Sequence, residues 1–183
     1  TNAGFVNLLV DGLEDVYPYN VKLQPQSFDN AFDSGLLILS KYPIPSFAFH
    51  KFISISGVEA WADKGCIMAH VQIPLEGNQT SSLVITNTHF NAFGFEVEVV
   101  RQNQTMESVA ALEDFLETLK SNQVDISQVP VLALGDFNIN ERQMENTTLI
   151  SSEYTQLLEN LGDETQDLYR VANGDEPRGF TYL

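Results

Sequence analysis

Four short apolar runs, each bounded by glycine, proline or polar residues, constrain the fold of this chain most strongly. They lie at Gly35–Ser40, Gly65–Ile73, Leu83–Thr88 and Pro130–Leu134. Apolar runs of this length between such boundaries are typical of buried β-strands. The segment Glu76–Ser82, between the second and third runs, has the glycine and asparagine of a hairpin loop. The sequence therefore predicts a sheet that contains at least one hairpin.

A long segment between the third and fourth runs has helical periodicity. From about Val97 to Leu119, apolar residues recur every three or four positions, at Met106, Val109, Leu112, Leu116 and Leu119. Asn7–Val16 also predicts a helix, and Ser151 or Ser152 can cap a shorter helix that Gly162 ends. Strands that come early and then alternate with helices predict an α+β domain.

Length and charge limit the classes of protein that this chain can represent. Its 183 residues, 43% of them apolar, suit one domain with a real core. Acidic residues number 25 against nine basic ones, a net charge of −16. That balance argues against a module that wraps nucleic acid by counterion release, although bound divalent cations can still serve phosphate chemistry. The single cysteine, Cys66, excludes an intrachain disulfide framework.

Two polar clusters follow apolar runs, where side chains leave the core. One is Thr86–Asn91 and the other is Gly135–Asn138. Asp136 and Asn138 alternate about Phe137, so an extended backbone would point both side chains the same way. A carboxylate beside an amide oxygen suits a hard cation or a polarised water. The same pattern is also typical of a simple turn closed by Asx hydrogen bonds.

One histidine and one lysine add to these clusters. His89 could act as a general acid or as a cationic donor to phosphate oxygens, with a purely structural histidine as the alternative. Lys64 precedes Gly65 and a buried strand, and a solvated surface lysine is its alternative reading. His50, in a phenylalanine-rich stretch, and His70, inside a strand pattern, are assigned structural roles.

The motifs also form an ordered series along the chain. In order, they are Ser40-Lys41-Tyr42-Pro43-Ile44, Glu59 five positions before Lys64-Gly65, Thr88-His89-Phe90-Asn91-Ala92, Arg101-Gln102, Gly135-Asp136-Phe137-Asn138, Asp167-Leu168-Tyr169-Arg170 and Gly179-Phe180-Thr181-Tyr182. This series resembles the endonuclease/exonuclease/phosphatase superfamily, and within it most closely the secreted neutral sphingomyelinase C branch. The resemblance covers essentially the whole chain.

The resemblance implies a fold and an activity. The fold is a DNase I-like four-layer β-sandwich flanked by helices, with residues 1–183 as the central part of a single domain. The activity is that of a Mg²⁺-dependent phosphodiesterase of sphingomyelinase C type. Such an enzyme hydrolyses sphingomyelin or a related choline phospholipid at a membrane surface and releases phosphocholine.

The resemblance also implies roles for individual residues. Asp136 orients water or binds the metal, and Asn138 donates to the scissile phosphate. His89 lies near the phosphate or the leaving oxygen. Lys64 contacts Asp136 or the substrate, and Glu59, which stands where that branch usually has Asp, is a possible partner of Lys64. Asn91 is assigned to phosphate binding.

Two groups of the family site fall outside this sequence. The metal-binding Glu of the family aligns before Thr1, and its general-base His aligns after Leu183. We therefore expect the chain to be the central part of a longer protein, or to be held by a neighbouring chain that covers exposed sheet edges. The 183 residues alone are expected to be inactive. The alternatives are a pseudoenzyme, that is, a structural extracellular glycoprotein module, and a DNase I-like nuclease.

Three Asn-X-Thr sequons bear on the compartment of the protein. They begin at Asn78, Asn103 and Asn146. Their number is close to the chance expectation, but all three lie in polar stretches. They favour a secreted or lumenal glycoprotein.

Overall fold

The computed structural model describes residues 2–23, 34–143 and 149–174 of the chain. The sequon at Asn146 and the run Gly179–Tyr182 lie outside these residues. The chain divides into two compact units, Thr1–Ile139 and Asn140–Leu183. The single domain inferred from the sequence stays a prediction.

The described part of the first unit contains two helices and six strands. In chain order these are α1 (Asn2–Leu13), β1 (Tyr19–Lys22), β2 (Leu37–Ser40), β3 (Ser46–Lys51), β4 (Gly65–Pro74), β5 (Thr80–His89), α2 (Val97–Ser121) and β6 (Val131–Asp136). Short 3-10 helices lie at Gly57–Trp61, Glu76–Asn78 and Ile126–Gln128. All four apolar runs of the sequence therefore form strands, as predicted.

The larger sheet has the strand order β3-β4-β5-β6. Its first three strands are antiparallel neighbours, whereas β6 runs parallel to β5. The predicted hairpin joins β4 to β5, but its turn is shorter than Glu76–Ser82 because β5 already begins at Thr80. A parallel neighbour requires a crossover, and α2 provides it.

The layers follow from the alternation of side chains along the strands. Ile67 and Ala69 of β4 pack in one core with Val21 of β1, Ile38 of β2 and Leu36, which directly precedes β2. Cys66 of β4 points to the opposite face, where Ser108 and Glu107 of α2 influence its thiol. Lys22 points away from that core and donates to Asn7 of α1 over 2.9 Å. Helix, sheet, sheet and helix therefore form the four predicted layers.

The buried face of α2 differs from the predicted one. Met106, a member of the predicted apolar stripe, is 61% exposed. Leu119 is buried as predicted, and the other buried side chains of α2 are Arg101, Gln104, Thr105 and Phe115. The reason is that the first half of α2 packs on polar loops and forms hydrogen bonds with them, for example from the Gln104 amide to the Ser54 carbonyl over 2.8 Å.

The burial of β6 also differs from the prediction. Its apolar sequence predicts a fully buried strand, but Val131 and Leu134 are 41% and 45% exposed. Within the described part of this unit, β6 is an edge strand that pairs only with β5. An edge strand lacks the second neighbour that would bury such side chains.

The second unit contains two described helices, α3 (Ser152–Leu161) and α4 (Leu168–Asn173). Ser151 caps α3 by accepting a hydrogen bond from the Tyr154 N–H, and Gly162 ends it, as predicted. The Tyr154 hydroxyl donates to Asp167, the cap of α4, over 2.5 Å. In neither unit is a described helix both long and apolar enough to cross a membrane.

Candidate functional site

The last residues of two neighbouring strands define the candidate site. His89 ends β5 and Asp136 ends β6, and the two are register partners in the parallel ladder. Register partners on parallel strands point to the same face, so their side chains meet. The distance from His89 Nε2 to Asp136 Oδ2 is 4.0 Å, and the side chains are 43% and 62% exposed. The structure thus brings together two residues of the predicted site at a solvent-accessible edge.

The glycines of two motifs allow the strands to approach one another. A Cβ atom on Gly135 would lie 2.1 Å from the Thr88 carbonyl oxygen, and the φ of Gly135 is +138°. A Cβ atom on Gly65 would lie 2.1 Å from the His50 carbonyl oxygen. Any other residue at either position would push a strand away from its neighbour. Gly135 therefore sets the close pairing that aligns Asp136 with His89.

The backbone around Asn138 is not extended. Its φ is +53°, and its N–H donates to Asp136 Oδ1 over 2.9 Å. The predicted extended alternation of Asp136 and Asn138 is therefore wrong, because the strand ends at Asp136 and an Asx turn follows, the alternative that the motif left open. The Asn138 side chain instead donates from Nδ2 to the Phe90 carbonyl over 2.9 Å.

Lys64 lies in the interior beside the site. It is 5% exposed, its Nζ lies 2.5 Å from Glu59 Oε1, and it donates to the Phe90 carbonyl over 2.7 Å. The Glu59–Lys64 partnership that the sequence raised as possible is therefore formed, and the surface reading of Lys64 is wrong. The hydrogen bonds of Lys64 reach Glu59 and Phe90, whereas the predicted contact was with Asp136 or substrate.

Glu59 holds the loop that follows His89. Its Oε2 accepts the N–H groups of Ala92 and Phe93 over 2.8 and 3.1 Å. Burial would raise the pKa of Glu59, but the hydrogen bond from Lys64 and those from the two backbone groups lower the pKa overall. The carboxylate is therefore charged at neutral pH, as the ion pair requires.

Asn91 is placed in the core, although the sequence assigned it to phosphate binding. Its exposed fraction is 0%. Its N–H donates to Gln104 Oε1 over 2.9 Å, its Oδ1 accepts from Gln104 Nε2 over 3.0 Å, and its Nδ2 donates to the Ser56 carbonyl over 3.0 Å. Through these contacts Asn91 connects α2 with two loops and is shielded from solvent, and its role in phosphate binding stays a prediction.

The environment of His89 favours its neutral form. Burial lowers the pKa of His89 and the nearby Lys64 charge lowers it further, while Asp136 and Glu59 oppose the shift. The net pKa lies below the usual value of 6.5. A neutral imidazole can accept a proton or donate one N–H. It is therefore less suited to act as a cationic donor to phosphate oxygens.

Asp136 is the part of the site that fits a metal ion. Its Oδ1 accepts the Asn138 N–H, and its side chain remains largely exposed. Mg²⁺ in phosphate sites is commonly held by one or two carboxylates together with waters and phosphate oxygens. The described residues contain no group of three or more His, Cys, Asp or Glu that could hold a metal. The role of Asp136 as a metal ligand therefore stays a prediction.

Sequence reasoning missed the importance of Phe90. Its carbonyl accepts from both Lys64 and Asn138, and its N–H donates to the Asp136 carbonyl over 2.9 Å. Its ring stands edge-on to the ring of Phe137, with centroids 5.3 Å apart. The available signal was the phenylalanine directly after His89 and the one directly after Asp136. No sequence pattern reveals the backbone acceptor.

Comparisons with known proteins place this geometry in context. No protein-family model and no curated protein matches the chain. Sphingomyelinase C from Streptomyces griseocarneus has a similar structure, with a TM-score of 0.61, 20% identity and coverage of 85% of this chain and 52% of that chain. A β-hairpin deletion mutant of beta toxin from Staphylococcus aureus gives a TM-score of 0.62, 20% identity and coverage of 86% and 55%.

A second beta toxin structure from Staphylococcus aureus, with bound magnesium ions, gives a TM-score of 0.62, 21% identity and coverage of 87% and 53%. The chain thus spans about half the length of the solved structures that it matches. At this level of identity the similarity concerns the fold. The chain has the DNase I-like α+β fold shared by sphingomyelinase C and beta toxin.

Proposed function

We propose that this chain is the central part of a phosphodiesterase of sphingomyelinase C type, which hydrolyses a choline phospholipid and releases phosphocholine. One observation carries the proposal: His89 and Asp136 lie 4.0 Å apart at the ends of adjacent parallel strands. They do so in a chain with the fold of sphingomyelinase C. Both side chains remain substantially exposed and are not packed in the core.

In the proposed reaction, water attacks phosphorus in line with the leaving alkoxide. In its neutral form, the His89 imidazole would donate an N–H to the phosphate or hold a proton at Nε2. The Asn138 amide has two N–H donors, and the Phe90 carbonyl occupies one, so the other is available to a phosphate oxygen. Lys64 and Glu59 act indirectly. Lys64, paired with Glu59, donates to the Phe90 carbonyl, and the same carbonyl accepts from Asn138.

Mg²⁺ is the cofactor that we propose, with Asp136 as one of its ligands. When bound, Mg²⁺ neutralises charge that develops on phosphoryl oxygens and polarises the attacking water. Asp136 keeps its carboxylate in place through the Asx turn with Asn138. Mg²⁺ should raise the melting temperature of the protein, and this stabilisation should be lost in Asp136→Asn. The measurement tests the ligand without depending on turnover.

Charge favours a zwitterionic lipid over a nucleic acid as the substrate. The net charge of −16 would repel a polyanion, whereas a phosphocholine headgroup has no net charge. A nuclease of the same fold is therefore the weaker candidate.

The decisive experiment measures phosphocholine release from sphingomyelin by the full-length protein, with Mg²⁺ and with EDTA. Asp136→Asn and His89→Gln should each reduce release by roughly 100-fold or more, the usual scale for removing a positioned acid–base or metal-binding group. Glu117→Gln, which neutralises an exposed carboxylate on α2, is the matched control and should leave release unchanged. Full activity in both site variants would refute the assignment of the site.

Two other results would redirect the function. A folded full-length protein that releases no phosphocholine under any metal condition would support a structural module without catalysis. Hydrolysis of DNA in preference to lipid would support a nuclease.

We also propose that the protein is secreted and glycosylated at Asn78. Asn78 and Thr80 of its sequon are both exposed in and beside the β4–β5 turn. Thr105, the third residue of the sequon at Asn103, is only 1% exposed inside α2. Peptide-mapped masses before and after deglycosylation should therefore show a glycan at Asn78, and its absence from secreted material would contradict the proposal.

A further inference from the structure

Four exposed apolar side chains lie on two loops beside the candidate site. Val58 and Trp61 belong to the 3-10 helix Gly57–Trp61, and Phe93 and Phe95 lie between β5 and α2. Their exposed fractions are 78% and 61% for the first pair and 72% and 83% for the second. We refer to these four residues as the apolar patch. Contiguous exposed apolar groups of this kind mark an interaction surface more often than scattered ones do.

The two loops that carry the apolar patch are joined before any partner binds. Glu59 accepts hydrogen bonds from the backbone of Ala92 and Phe93, so the two loops share a partly buried carboxylate. A Cβ atom on Gly57 would lie 3.7 Å from the Cα of Gly94, which places the two backbones in direct contact. The patch is therefore preorganised, and a partner need not supply the free energy to order it.

The apolar patch is also connected to the candidate site through a short, well-braced segment. Phe93 lies four positions after His89. Between them, the Phe90 carbonyl accepts from Asn138 and Lys64, and the Asn91 carbonyl accepts from Arg101 over 3.2 Å. A surface that holds the patch would consequently hold His89 at a fixed position above that surface.

The chemistry of the apolar patch selects a neutral lipid surface as its partner. Its four side chains carry no charge, and Glu59, the charged residue of the 3-10 helix, is neutralised by Lys64. The chain as a whole has a net charge of −16, so an anionic bilayer would repel it. Exposed Trp and Phe side chains at loop tips are suited to insertion among lipid headgroups and upper acyl chains.

We propose that the apolar patch docks the protein on the surface of a zwitterionic phospholipid bilayer and so presents the candidate site to lipid headgroups. This inference rests on the proposed function, because it takes the lipid substrate as given and identifies the residues that reach the bilayer. The described loop at the far end of β4 and β5 is polar by comparison, with Leu75 as its exposed apolar residue.

Tryptophan fluorescence offers a direct test, because Trp61 is the one tryptophan among the 183 residues. The full-length protein, in EDTA to prevent turnover, is titrated with vesicles of phosphatidylcholine and sphingomyelin. The emission contributed by Trp61, taken as the difference between the unmodified protein and Trp61→Phe, should shift to shorter wavelength and be quenched by brominated acyl chains. Vesicles that contain phosphatidylserine should produce a smaller shift.

A double variant then tests the rest of the apolar patch by vesicle sedimentation. Val58→Ser/Phe95→Ser should weaken binding by roughly 10-fold to 100-fold per inserted side chain. Leu75→Ser is the matched control, since Leu75 is 51% exposed at the opposite end of β4. This control should bind like the unmodified protein.

Activity on a soluble short-chain sphingomyelin separates the two proposals. The double variant should retain hydrolysis of the monomeric substrate and lose hydrolysis of vesicles. Unchanged vesicle binding in the double variant would overturn the docking inference, as would self-association through the patch without vesicle binding. Vesicle binding through the patch without hydrolysis of either substrate would leave the docking inference standing and refute the proposed function.

Discussion

Removal of the Lys64 ammonium should destabilise the fold through the charge that it leaves behind. The side chains of Lys64 and Glu59 are 6% and 14% exposed, with 2.5 Å between Nζ and Oε1. Breaking a buried pair on one side costs about 3–5 kcal/mol, because the remaining charge is uncompensated. Glu59 keeps two backbone N–H donors, and the Phe90 carbonyl keeps Asn138, so we expect the lower end, about 3 kcal/mol for Lys64→Met.

Urea unfolding of the full-length protein measures this loss. With a slope of about 2 kcal/mol per molar, a loss of about 3 kcal/mol lowers the urea midpoint by about 1.5 M. Lys120→Met is the control, since Lys120 and Glu117 form an exposed pair at 61% and 67% side-chain exposure. That change should cost at most about 0.5 kcal/mol.

A second substitution tests the cause of the loss. Replacing both partners, in Glu59→Leu/Lys64→Met, should recover part of the stability, because no charge is then left unpaired. Equal midpoints for Lys64→Met and Lys120→Met would refute the reasoning. The reasoning would also be refuted if the losses in unfolding free energy of Glu59→Leu and Lys64→Met simply added in the double variant. Additive losses would mean that the two side chains are not coupled.

Three further changes test other parts of the structure. Gly135→Ala should lower the free energy of unfolding in urea by several kcal/mol, because the new Cβ would overlap the Thr88 carbonyl. Gly77→Ala is the control, since Gly77 also has a positive φ but has open space around it, and this change should cost about 1 kcal/mol. Gln104→Leu should lower the melting temperature by several degrees, because it removes buried hydrogen bonds and leaves their partners unsatisfied. Burial lowers the pKa of His70 below 6.5, so the unfolded state takes up its proton first and stability should fall as the pH drops below about 6.5. His70→Gln should reduce that pH dependence, and an unchanged slope would contradict the assignment.

Local patterns were sufficient to predict most elements of the fold. The strands at Leu37–Ser40, Gly65–Pro74 and Thr80–His89 follow from short apolar runs with clear boundaries. The helix α3 follows from Ser151 and Gly162, whose capping roles depend on neighbours within a few residues. Such features are determined by local backbone geometry, which sequence spacing records directly.

Features that depend on distant partners were harder to predict. Gln104 is buried because it forms hydrogen bonds with Asn91 and Ser54. Helical periodicity counts only apolar residues, so it does not predict the burial of a glutamine. Asn138 turns its amide toward Phe90 because the strand has ended, which an assumption of extended geometry misses. In the candidate site, the positions of His89 and Asp136 directly after apolar runs were evident from the sequence, but the pairing of these two residues and the burial of Lys64 and Asn91 required the packed structure.

The Phe90 carbonyl has a consequence for how this site can change over evolutionary time. Its two lone pairs are both occupied, one by Lys64 and one by Asn138. Because the acceptor is a main-chain oxygen, no codon change at position 90 can delete it, and a different side chain there would still present the same junction. If positions 64 and 138 covary, the contact that couples them is therefore a main-chain oxygen, which a sequence alignment does not show. Chemical synthesis with an ester linkage after residue 90 would weaken that carbonyl as an acceptor, and it would also remove the Asn91 N–H that donates to Gln104.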